Sequence, residues 1–112
     1  FYELHLQKCE YPQIGWADTD FRLDDRADDD GVGDDEHSWG VDGVRQLKWS
    51  NGGTPWGDSP WPRPVTIGCA VDLGVGSAMR FSVDGCWEEA PAFREFHFSG
   101  ALYPAASGIL VG

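Results

Sequence analysis

Between Asp18 and Glu36 lie ten acidic residues (Asp18, Asp20, Asp24, Asp25, Asp28, Asp29, Asp30, Asp34, Asp35 and Glu36) and two basic ones, Arg22 and Arg26. Clustered carboxylate oxygens are the donors that hard cations take, so calcium is the first chemistry to test. An EF-hand loop needs acids at positions 1, 3 and 5, glycine at 6 and glutamate at 12. With Gly31 at the glycine position, Asp28 and Asp30 fall correctly, but Arg26 and His37 occupy the first and last ligand positions. The EF-hand match fails. A lectin-type sandwich, with calcium in this acidic loop and a Trp stacked on sugar, stays as the alternative to a protein-binding role. The segment is otherwise a solvated acidic rim that steers basic partners, acting on association rate and fading with salt.

Catalytic and metal arrangements are weaker. His5 and Cys9 are close in sequence, but nothing beside them supplies an oxyanion site or an orienting acid. No carboxylate pair lies in an apolar setting that would raise one pKa, as glycoside hydrolysis requires. Cys9, Cys69 and Cys86 are an odd set without a close pair, which fits neither a disulfide framework nor a structural zinc site. We therefore expect no enzyme activity, no metal and no cofactor. Cys69, between Ile67 and Val71, is expected to be a small buried hydrophobe.

Recognition chemistry is better represented. Of the six Trp, Trp16, Trp39 and Trp49 sit among alternating apolar residues and are expected to pack in the core. Trp56, Trp61 and Trp87 fall in loops or just past a turn, where a Trp can anchor a partner at small cost in rotamer entropy. Arg45 and Lys48 follow Asp42 closely and can pair with it, or meet a polar peptide; Arg80 is expected to face away from the core. The expected partner-binding residues are Asp18, Asp20, Arg45, Lys48, Trp56 and Trp61.

These side chains need a scaffold, and the periodicity supplies one. Tyr2, Leu4 and Leu6 alternate, as do Ile14 and Trp16, then Val65, Ile67, Cys69, Val71 and Leu73, then Met79, Phe81 and Val83. No window carries a helical stripe. Short strands punctuated by 15 Gly and 7 Pro predict an all-β antiparallel sandwich of two sheets. Asp84-Gly85 has the chemistry of a two-residue hairpin turn. Residues 72–77 should connect two strands, and Asn51-Gly52 is a second turn, followed by a loop. Four prolines between Thr54 and Pro64 exclude a central strand there.

With 112 residues the chain fits one domain, 1–112, with a single core. Its net charge is −11, of which −8 belongs to the acidic segment. That sign repels phosphate backbones and anionic lipid, so neither nucleic acid nor membrane is an expected partner. No stretch is long and apolar enough for a membrane span. The chain opens on Phe1 in strand pattern, without Met, and is expected to be an excised segment of a larger protein.

Taken in order, Ile14-Gly15-Trp16-Ala17, Gly31-Val32-Gly33-Asp34-Asp35, Ser38-Trp39-Gly40-Val41-Asp42-Gly43, Lys48-Trp49, Ile67-Gly68-Cys69-Ala70-Val71-Asp72, Phe81-Ser82-Val83-Asp84-Gly85 and Tyr103-Pro104-Ala105-Ala106-Ser107 resemble successive motifs of SPRY domains. The closest likeness is to those of ubiquitin ligases and intracellular calcium-release channels. The resemblance implies a concanavalin-like sandwich and a non-catalytic module that binds a protein or peptide partner through its loop end. In a ubiquitin ligase such a module would select substrates. It also implies an intracellular, cytoplasmic setting. Two departures stand out: Pro64-Val65-Thr66 replaces the family's Gly-Asp, and the family's last strand is not evident in residues 108–112, so that strand is expected to be lacking.

Overall fold

Alternating segments become strands where one face can be buried. The computed structural model describes residues 1–7, 9–21 and 31–110. Asp24, Asp25, Asp28, Asp29 and Asp30 of the expected acidic rim lie outside these. The described residues form ten strands and no helix: β1 (Tyr2–Leu6), β2 (Cys9–Asp18), β3 (Ser38–Asp42), β4 (Leu47–Trp49), β5 (Gly53–Pro55), β6 (Val65–Asp72), β7 (Ala78–Val83), β8 (Cys86–Trp87), β9 (Phe93–Arg94) and β10 (Leu102–Leu110). Two antiparallel five-stranded sheets result. One runs β1-β6-β7-β8, with β9 also on β7; the other runs β10-β2-β3-β4-β5. This is the all-β sandwich that the alternation predicts.

The inner faces supply the core. Ile67, Cys69, Met79 and Phe81 from one sheet meet Ile14, Trp16, Trp39 and Val41 from the other, all nearly or wholly buried. Tyr2 reaches across from β1, donating its hydroxyl to the Gly15 carbonyl and meeting Trp16 edge-on at 5.1 Å. Burial pushes the Cys69 thiol up to about 11, which keeps it protonated and inert, as expected of a buried small hydrophobe.

The outer face of β2 and β3 is also covered. Gln13 Nε2 donates to the Val32 carbonyl at 2.9 Å, and the Gly33 amide donates to Ser38 Oγ at 2.7 Å. Ser38 Oγ in turn donates to Asp35 Oδ1 at 2.8 Å. Residues 31–35 thus lie on the sheet, and a side chain at Gly40 would run into the Val32 carbonyl. Every residue of β3 is consequently buried.

The turns follow their chemistry. Asp84 and Gly85, with φ of 49° and 86°, join Val83 to Cys86 in a two-residue hairpin. Asn51-Gly52 differs from expectation: it belongs to a three-residue connection, and β5 follows at once, paired to β4 from Trp49↔Gly53 to Leu47↔Pro55. Pro55 lacks an N–H and is tolerated because β5 is an edge strand. Trp49 also differs. It pairs with Gly40, which faces Val32, so its ring lies outside the sandwich, against Gly53. At the other margin, a register shift between Ser107 and Ile109 carries β10 on to Leu110, through residues that show no strand pattern.

Candidate functional site

Where the sheets part, between β5 and β8, a groove of about 610 Å3 opens. One wall is the proline-rich segment leaving β5. Two amides pin it: Trp56 donates to the Gln46 carbonyl and Trp61 to the Gly43 carbonyl, both at 2.9 Å. Gly43 is required there, because a Cβ would lie inside the Trp61 indole. Trp56 stands edge-on to Trp61 at 6.1 Å and to Phe81 at 6.2 Å.

The other wall is an arch between β8 and β9. Its feet are the Glu88 and Ala92 amides, which donate to the Phe81 and Met79 carbonyls of β7. The Glu88 carboxylate then ties the walls together: Oε1 accepts the Phe81 amide at 3.0 Å and Oε2 accepts the Trp56 indole N–H at 3.1 Å. Lys48 pairs with inward-facing Val41 and so points between the sheets, donating from Nζ to the Ala92 carbonyl at 2.9 Å. Burial pushes the Glu88 carboxyl above its ordinary value, an effect that the Phe81 and Trp56 donors and the Lys48 charge partly offset.

The six residues expected to bind a partner do not converge. Lys48, Trp56 and Trp61 meet in the groove, although Trp61, at 7% exposure, is chiefly a core side chain. Arg45 pairs with Asp42 and has its guanidinium over the rings of Tyr11 and Trp49, at 4.7 and 5.3 Å. Lys48 takes no part in that pair, because adjacent strand positions face opposite ways. Asp18 and Asp20 lie at the opposite end of the strands, where Asp18 lines a second cleft of about 730 Å3.

Asp18 is itself buried there. It accepts the Asp20 amide, the Ser99 amide and the His37 ring, at 2.9, 2.9 and 3.0 Å. Burial alone would raise its pKa, but these donors hold it below the ordinary Asp value; the same contact raises the pKa of His37. Asp18 therefore clips together the two ends of the β2–β3 loop and ties them to the β9–β10 loop, while Asp20 is exposed. Among the described residues no three His, Cys, Asp or Glu side chains are placed to hold a metal ion. Sequence reasoning missed Glu88. Between Trp87 and Glu89 it looks like a surface charge, and nothing local links it to Trp56.

A family model of the SPRY domain matches residues 1–108. The chain belongs to the SPRY family. SPRY domains are protein-interaction modules, and the resemblance carried by the ordered motifs is thereby substantiated. Over 72 residues this SPRY domain is 38% identical to the E3 ubiquitin-protein ligase RKP of Arabidopsis thaliana, covering 64% of the present chain and 5% of that protein. The domain thus corresponds to a small part of that relative.

Proposed function

We propose that this SPRY domain holds an extended segment of a client protein in the groove between β5 and β8, and that its parent is an intracellular ubiquitin ligase for which it selects substrates. The observation that carries this reading is the preformed aromatic groove. Trp56 and Trp61 are fixed by backbone and carboxylate contacts before any partner arrives. A rigid aromatic surface has little conformational entropy to lose on binding. Likeness to part of an E3 ligase supports the cellular role.

The test places a photocrosslinking side chain at Ser59, on the groove wall, within the full parent protein in its own cells. Capture of a client whose ubiquitination changes with Asp58→Arg, at an exposed position of the groove wall, is the expected result. If a client crosslinks only from Glu36, at the far cleft, and its capture is indifferent to Asp58→Arg, this reading is wrong.

A further inference from the structure

We infer that the far cleft, at the opposite end of the strands from the groove, is a second docking surface. Its occupant is a protein segment that carries an arginine or lysine next to a bulky apolar side chain.

The cleft is separate from the groove and already shaped. The two share Ala92 alone. Asp18 Oδ2 accepts the Ser99 amide, the Asn51 amide donates to the Asp35 carbonyl, and the Glu95 amide donates to the Ser77 carbonyl, each at 2.9 Å. Every wall is thus tied to a neighbouring element before a partner arrives, and little loop ordering is left to oppose binding. The floor is aromatic. Phe96 and Phe98 line it half-buried, with Phe96 5.5 Å from the buried Trp39 and 6.3 Å from Phe98. An apolar side chain laid on these two rings would remove their remaining surface from water.

Charge selects the neighbouring side chain. Asp18 and Glu36, the two ends of the segment of net charge −8, both line this cleft, and Glu95 lines it from the opposite wall. Asp18 is committed to its three donors, but the other two carboxylates are available. The Glu36 side chain is 75% exposed and meets only the His37 ring, at 3.5 Å. Glu95 is exposed, with no side-chain partner among the described residues. The guanidinium at the margin does not cancel them: Arg94 lies opposite Ala78, which shares the outer face of β7 with the exposed Arg80. An incoming cation would therefore meet Glu36 or Glu95 while its aliphatic stem covers the Phe rings. An acidic segment would be repelled by the same groups.

The experiment titrates the 112-residue chain with three short synthetic peptides that differ only at their centre: Arg-Leu-Arg, Glu-Leu-Glu and Arg-Ser-Arg. Binding is followed by anisotropy of a labelled peptide and by the NMR amide signals of residues 95–98, with the Trp56 indole N–H as the control in the groove. The first peptide should shift the cleft amides, leave Trp56 unmoved, and bind about tenfold or more tightly than either of the others. Glu95→Lys lies at an exposed position outside the acidic segment, so it separates docking in the cleft from steering by that segment. It should weaken the first peptide several-fold and leave the melting temperature unchanged. Equal binding of the first peptide and either control, indifference to Glu95→Lys, shifts confined to the groove, or no shift at millimolar peptide would each overturn the proposal. The groove reading is independent of this result, because crosslinking at Ser59 tests it separately.

Discussion

His37 Nδ1 lies 3.0 Å from Asp18 Oδ2, and through that contact the ends of the loop between β2 and β3 are clipped together. The Asp18 amide donates to the His37 carbonyl at 2.9 Å as well, so backbone and side chain act on the same two residues. The pair makes stability depend on pH in a defined way. His37 has its pKa raised above the ordinary 6.5, so its contribution is complete below 6.5 and is lost as pH rises through the folded value. Asp18 has its pKa lowered from 3.8, so its contribution is present above 3.8 and is lost as pH falls through the folded value. Urea unfolding across pH should show both limbs. His37→Gln should flatten the alkaline limb and shrink the acid one, where the Ser99 and Asp20 amides still act on Asp18, and Asp18→Asn should flatten both; an unchanged alkaline slope in His37→Gln would sink this account.

Glu88 is expected to show the opposite sign from Asp18. Its raised pKa makes its contribution greatest below the ordinary 4.5 and progressively smaller as pH rises through the folded value. Glu88→Gln removes that dependence. The amide can accept from only one of the two donors, Phe81 or Trp56, and turns an NH2 toward the other. The cost at neutral pH should be about 1–3 kcal/mol by denaturant unfolding, with the Trp56 indole N–H signal displaced.

Trp61 and Trp87 should separate cleanly. Trp61 is 7% exposed and Trp87 45%, so Trp61→Ala is expected to cost about 3–5 kcal/mol through cavity formation, and Trp87→Ala less than about 1 kcal/mol. Thermal and urea melts measure both. Comparable losses would mean that the Trp87 ring, which lies over Gly68 and against Phe1 outside the sandwich, is as structural as Trp61.

Gly43→Ala is a sharper probe of the same wall. The added Cβ overlaps the Trp61 indole, and displacing that ring should cost about 1–3 kcal/mol. The displaced indole should be visible as a changed Trp61 N–H signal. Retention of the wild-type signal and stability would show that the ring does not rest on Gly43.

Much of the scaffold was legible because it is periodic. In β6 and β7 every second side chain enters the core, and Asp84-Gly85 announces the hairpin between β7 and β8. The groove was only half legible. Trp56 and Trp61 could be singled out as tryptophans among prolines, but the burial of Trp61 depends on Gly43, and the orientation of Trp56 depends on Glu88; both contacts are tertiary. Lys48 was misread as a partner for Asp42 because a three-residue strand such as β4 is too short to reveal which face is inward. Trp49 was misplaced for the same reason. Asp18 belonged to an acidic run, and no local pattern marks one acid of that run as a buried staple.

The covering of β3 by residues 31–35 has a consequence for how the chain tolerates change. In β1 exposed and half-buried positions alternate, whereas β3 has no exposed position at all. A saturation mutagenesis scan read out by folded abundance should therefore oscillate with a period of two residues along Tyr2–Leu6 and stay uniformly intolerant along Ser38–Asp42. The oscillating strand is the one with solvent behind it; the flat profile is the signature of a strand enclosed between two layers of its own chain.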